Sequence, residues 1–279
     1  MGNIRFGLHR KYPPFLICFL WVIVSFYFLV AVFEPFFLMH DPNAVDYTMK
    51  FAQPSIQYPF GCDQLGRCVY SRIIQGARIS IGYAALVVFI SCIWGTSLGI
   101  ISSYYGGKVD MIMMRIVDII STIPLTLYVI LIMQVLGAGI QSIIVALGSV
   151  YWVDMARVVR GQILSLKQQE FVLAAKTIGS SATTILFDHL IPNALGSILV
   201  TITMLIPSAI FMEAFLGYLG IGLQPPLASL GTMCNDASAN LRTSPHELLI
   251  PALMICVIMF AFNFVGDGLR DALDPKLKK

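Results

Sequence analysis

The sequence predicts an all-α membrane protein of six transmembrane helices with both termini in the cytosol. Three observations lead there. Only 12% of the 279 residues are charged and 57% are hydrophobic, with a mean hydropathy of +0.81. A soluble domain carries about 25% charged residues, so this chain has too few to clothe a water-facing surface. Uncharged runs of about 20 residues, enough to cross a bilayer, recur along the chain. The basic residues also fall mostly on one side of the topology that these runs define.

Residues 15–33 are uncharged and follow Arg5, His9, Arg10 and Lys11. The run is too long for a signal-peptide core and lacks a small-x-small cleavage pattern, so it reads as a first span after a cytosolic tail, 1–14. Residues 34–78, rich in Pro and polar groups, form an extracytoplasmic loop. A five-helix core, 79–279, follows. Its spans are 79–107, 110–136 (with Arg115 and Asp118 in the opening turns), 140–156, 190–212 and 248–266. Each is helical, because lipid offers backbone polar groups no partner. Between them lie a cytosolic loop, 157–192, an outer loop, 221–247, and a C-terminal tail, 267–279. This arrangement puts thirteen Lys and Arg inside against five outside, as the positive-inside rule expects.

Several activities lack their motifs. A phosphate cradle needs G-x-x-x-x-G-K-[ST]. Gly106-Gly107-Lys108 is followed by Val109 and has Ser102 where the first Gly belongs. No H-E-x-x-H or C-x-x-C pair is present and the four His are scattered, so the sequence offers no catalytic or metal constellation. Any power stroke must come from a partner or from an ion gradient.

The cytosolic loop reads as a device. Phe171, Ala174, Ala175 and Ile178 recur at i, i+3, i+4 and i+7, one helical face. Glu170 sits where a negative charge suits the helix dipole, and Gly179 supplies a left-handed stop. Ser180 or Ser181 caps a second short helix, which Pro192 is expected to end by disfavouring helical geometry at Ile191. A helix-Gly-helix hairpin results. Periodicity alone leaves two readings open, a knuckle received by another protein's groove and an amphipathic helix resting on lipid.

The residues Glu170-Phe171-Val172-x-Ala174-Ala175-Lys176-x-x-Gly179-x-Ser181, then His189-Leu190-Ile191-Pro192-Asn193, resemble the EAA loop of ABC importer permeases, in the variant of the peptide and nickel transporters. Phe60-Gly61-Cys62-Asp63-Gln64-Leu65-Gly66-Arg67, Gly76-Ala77-Arg78-Ile79-Ser80, Tyr105-Gly106-Gly107-x-x-Asp110 and Phe262-Asn263-x-x-Gly266-Asp267 are similar to further blocks of that family. Cys62 and Cys68 depart from it, standing where Thr and Asp are usual, and Leu230 replaces a Trp.

The resemblance implies the type I ABC importer permease fold in a bacterial inner membrane. It implies a homologous second permease forming the other half of the pathway, two ABC ATPase subunits that carry ATP and Mg, and an extracytoplasmic solute-binding protein. Lipid surrounds the helices, no nucleic acid is involved, and this chain itself binds no cofactor. Glu170, Phe171, Ala174, Ala175, Gly179 and Pro192 would couple to an ATPase. The solute would be a di- or oligopeptide, with nickel or a metal chelate as the alternative. The rival from another class is a secondary transporter driven by an ion gradient through Glu213.

Among ionisable residues in spans, Asp118 with Arg115 and Asp154 with Arg157 are i,i+3 pairs that neutralise each other. Glu213 has no basic neighbour within a turn or two. It is either a gate or solute contact, or a carboxyl hydrogen-bonded to another helix or to the partner subunit. Gly217, Gly220 and Gly222 suit close helix packing. Cys62, Cys68 and Cys234 are expected outside, where disulfides form. Cys62 with Cys68 is one possible pair.

Overall fold

The computed structural model describes residues 14–137 and 139–273. The tail 1–14 and the end of the tail 267–279 therefore lie essentially outside the described residues, and with them Arg5, Arg10, Lys11, Lys276, Lys278 and Lys279 of the sidedness argument. The elements are α1 (Pro14–Val32), α2 (Glu34–Phe37), a 3-10 turn (Tyr47–Met49), α3 (Val69–Tyr105), α4 (Gly107–Thr122), α5 (Leu125–Leu136) and α6 (Ile140–Leu166). Then come α7 (Glu170–Thr177), α8 (Ala182–Thr184), a π-helical turn (Ile185–Leu190), α9 (Ile191–Tyr218), α10 (Leu230–Ser238) and α11 (Pro245–Leu273). Among the described residues there is no strand beyond one isolated bridge, Cys62 with Cys68.

Four helices are long and apolar enough to cross a membrane: α3, α6, the continuous stretch ending in α9, and α11. The α4–α5 pair is a broken fifth. Several boundaries move from the sequence expectation because charge counting mistakes paired charges for helix ends. The second span starts at Val69, not 79, and takes in Arg72 and Arg78. Both are neutralised: Arg72 lies 3.6 Å from Asp63 and 3.7 Å from Asp236, and Arg78 pairs with the buried Glu34. Likewise the helix that holds the fourth span extends to Leu166, past Arg157 and Arg160. The last helix runs on through Asp267, Arg270 and Asp271, part of the expected tail. The third span is not one rod. Ile123 and Pro124 are extended, and α4 and α5 meet at 87°. Proline disfavours helical geometry at the residue before it, and here Ile123 is extended and the chain turns.

The core is organised around α3, which packs along α6 and crosses α9, while α11 covers α9, α10 and α1. Val87 and Val88 of α3 belong to one buried cluster with Ile143, Leu147, Met155 and Val159 of α6. The closeness of this pair has a sequence cause. Ser91, Gly95, Gly99 and Ser103 recur every four residues on one face and are buried. A Cβ on Gly95 would stand 2.6 Å from the Trp152 carbonyl, and one on Gly99 2.7 Å from that of Ala156. Small residues at this spacing let two backbones touch without a hydrophobic driving force.

Candidate functional site

The knuckle formed by α7, α8 and the turn between them is built almost entirely by local rules. Glu170 opens α7, and the helix ends in a Schellman turn. Ser180 N–H donates to the Ala175 carbonyl and Gly179 N–H to that of Lys176, with Gly179 at φ +88°. Ser181 then caps α8 by accepting from the Thr184 N–H. The expected hairpin is present, with two corrections. Val172 and Ala175 are the buried face, sealed against the chain's own helices, whereas Phe171, Leu173, Ala174 and Ile178 are exposed. Ala175 therefore belongs to the anchoring side, because one turn of α7 is consumed in attaching the knuckle. The second correction concerns Pro192, which does not end a helix. The chain stays helical from α8 into α9 through the π-turn at Ile185–Leu190, whose wider hydrogen-bond spacing accommodates a residue without an N–H. Asn193 Nδ2 caps the His189 carbonyl at 2.6 Å. Phe171 of α7 meets the His189 ring at 6.4 Å between centroids, tying knuckle to span.

A clamp above the knuckle was missed by local pairing rules. Asp110 of α4 receives Arg160 of α6 through both Nε (2.5 Å) and Nη2 (2.6 Å), and it also accepts from Ser102 Oγ of α3. Lys167 donates to the Ser103 carbonyl. Burial holds the Lys167 ammonium below its ordinary range, Lys176 lowering it further. Arg157 lies 3.7 Å from Asp118 and 3.5 Å from Asp154. The expected Asp154–Arg157 pair is present, but Asp118 pairs across helices, and among the described residues Arg115 makes no ion pair. Sequence separations of 50 and 39 residues hid both cross-helix contacts.

Glu213 sits at a second junction, where α3, α9 and α10 converge. Its side chain is 1% exposed and accepts from Ser80 Oγ at 2.7 Å, and Ser229 at the start of α10 lies against the same carboxyl. Glycines bring the three backbones together. A Cβ on Gly231 would meet the Ala214 carbonyl at 2.2 Å, one on Gly217 the Thr232 N at 2.9 Å, and one on Gly76 the Leu230 N at 3.1 Å. Gly217 and Gly222 do serve packing, while Gly220, at φ +80°, ends the helix. So Glu213 faces the interior of its own subunit.

The loop before α3 closes over this junction. Asp63 accepts from the Leu65 and Arg67 N–H groups and from Arg67 Nε. Arg67 and Arg72 both approach Asp236 of α10, at 4.0 and 3.7 Å. Burial raises the Asp236 carboxyl, and the two guanidiniums partly offset it. The family profile described as "Binding-protein-dependent transport system inner membrane component" matches residues 95–279, which include the clamp, the knuckle and Glu213.

The chain belongs to this family. It is 50% identical over 262 residues to the oligopeptide transport system permease protein OppC of Bacillus subtilis (strain 168), covering 92% of this chain and 85% of that one. To the dipeptide transport system permease protein DppC of the same organism it is 44% identical, covering 92% and 81%. The glutathione transport system permease protein GsiD of Escherichia coli O6:K15:H31 (strain 536 / UPEC) is 42% identical over 251 residues, with 90% of this chain and 83% of that one covered. In structure, a chain of the MetNI methionine ABC transporter in an inward facing conformation gives a TM-score of 0.61 at 17% identity, over 72% of this chain and 95% of that one. The fold is thus that of type I ABC importer permeases. The protein is a multi-pass bacterial inner-membrane component that works with ATPase and solute-binding partners and is not itself the ATPase.

Proposed function

We propose that this permease imports di- and oligopeptides, forming half of the pathway beside a homologous second permease. Two ATPases bind ATP and Mg below, and a binding protein delivers solute above. The relatives named for oligopeptide, dipeptide and glutathione transport share a peptide solute, which favours peptides over nickel. In this reading the chain crosses the membrane six times with both termini in the cytosol, α1 and the bent α4–α5 pair counting as one span each beside the four long apolar helices.

The observation that carries the coupling mechanism is the exposed apolar face of α7. Ile178 is 84% exposed, beside exposed Phe171 and Ala174, on a knuckle otherwise fastened to its own chain. Such a patch is a docking surface for another protein. Glu170, Phe171, Ala174 and Gly179 form and present the docking side, while Ala175 and Pro192 join it to α9. When ATP binds the outward-open state more tightly than the inward one, closure of the ATPases shifts the population. The rigid α7–α9 connection carries that shift to the spans. Glu213 then acts as a gate element from within, because its bond to Ser80 couples α9 to α3 at the outer junction.

The test is a cysteine at Ala174, crosslinked in membranes of cells expressing the complete transporter. Capture of an ATPase subunit that depends on nucleotide supports the mechanism. Solute uptake by the purified chain alone, driven by an ion gradient, overturns it.

A further inference from the structure

Cys62 and Cys68 are the two positions at which the 34–78 loop departs from the resembled family, and the structure brings them face to face. They are partners in the isolated antiparallel bridge. The hydrogen bonds of that bridge flank them: Asp63 N–H donates to the Arg67 carbonyl at 3.0 Å, and Val69 N–H to that of Gly61 at 3.1 Å. Cys62 and Cys68 are therefore a non-hydrogen-bonded pair. In such pairs the Cα atoms lie about 4.5 Å apart with side chains on the same face. A disulfide needs Cα atoms about 4.4–6.8 Å apart. The side chains are 0% and 3% exposed, so little can come between them.

We infer that Cys62 and Cys68 form a disulfide across the neck of the 62–68 turn, fastening the outer end of α3. The inference rests on the placement of residues 34–78 outside the cytosol. Both are thiols in the structure. Oxidation removes two electrons and two protons, which an extracytoplasmic oxidant carrying a disulfide accepts by thiol–disulfide exchange. One cysteine thiolate attacks the oxidant's disulfide, giving a mixed disulfide and one oxidant thiolate. The second attacks the sulfur of the first, forming the Cys62–Cys68 bond and expelling the other oxidant thiolate; both take up protons. Burial pushes the Cys62 thiol up to about 11, with Cys68 beside it adding to the rise.

The ring holds what the turn carries. Gly66, at φ +74°, is wedged against Asp46, whose carbonyl oxygen would lie 1.7 Å from a Cβ there. The Cys68 carbonyl accepts the Arg72 N–H in the first turn of α3. Asp63 and Arg67 within the ring anchor Arg72 and Asp236.

Trypsin supplies the test, because cleavage at Lys50, Arg67 and Arg72 leaves Cys62 on peptide 51–67 and Cys68 on peptide 68–72. Cells are acid-quenched, denatured with N-ethylmaleimide and digested without reductant. The expected product is the two peptides joined, two hydrogens lighter than their sum, and lost on reduction. In parallel, I56C at the 100% exposed Ile56 is treated with a membrane-impermeant maleimide on intact cells. Labelling with both cysteines alkylated, or with either joined to the Cys234 peptide, overturns the disulfide and leaves the topology standing. No labelling overturns the placement outside, and the disulfide with it.

Discussion

Replacing Gly95 or Gly99 with Ala tests the α3–α6 seam, and the structure contains its own controls. At Gly95 the new methyl would lie 2.5 Å from Met155 Cβ and 2.6 Å from the Trp152 carbonyl, and at Gly99 2.7 Å from the Ala156 carbonyl and 2.9 Å from Val159 Cβ. Carbon contacts relax at about 3.5–4.0 Å, so α6 must retreat by roughly 1 Å. The obstacles are backbone oxygens and first side-chain carbons, which cannot swing away. Gly82 and Gly161 are also inside α3 and α6, yet a Cβ there meets nothing within 4 Å. All four substitutions gain about 1 kcal/mol of helix propensity. The difference between the two sets is therefore the overpacking alone, about 1–3 kcal/mol. At about 2–4 °C per kcal/mol for a chain of this size, G95A and G99A should melt about 2–12 °C below G82A and G161A. The assay is thermal unfolding of the detergent-solubilised transporter, followed by loss of the monodisperse peak on size exclusion. Coincident melting of the two sets would refute the close approach.

Three further outcomes follow from the two junctions and the knuckle. D110N and R160K should each lower uptake with normal membrane insertion, since the bidentate fork is worth about 1.5–3 kcal/mol and Lys cannot reproduce it; unchanged uptake in both removes the clamp from the mechanism. E213Q should lower uptake while the assembled transporter is recovered in normal amount, and full uptake removes the gate role. A174R, on the exposed side of α7, should leave ATP hydrolysis running without transport, whereas A175R, on the buried side, should reduce the folded protein recovered. Equal yields of the two variants would contradict the assigned faces of the knuckle.

What could be read early was whatever depends on short stretches of chain. Hydropathy gave the apolar helices, since a bilayer imposes one length and one hydrogen-bonding rule on every span. The knuckle was legible because capping and Schellman turns are set by residues within one or two turns, here Glu170, Gly179 and Ser181. Even the four-residue spacing of Ser91, Gly95, Gly99 and Ser103 stands in the sequence, although only α6 gives it a partner.

Tertiary structure decided the pairing. Charges that seemed to mark the ends of α3 and α6 lie inside those helices, because Arg72, Arg78 and Arg160 are neutralised by Asp63 and Asp236, Glu34 and Asp110, all on other elements of the fold. The i,i+3 rule assigned Asp118 to Arg115, whereas the fold gave it Arg157. Which face of α7 is free, and whether Glu213 points outward or into its own subunit, depended on elements up to 133 residues away. The sequence alone showed which stretches are apolar helices and how the knuckle is capped, since those are local energies. Which charges cancel and which surfaces remain for a partner are sums over the packed helices, and these exist only once the chain has folded.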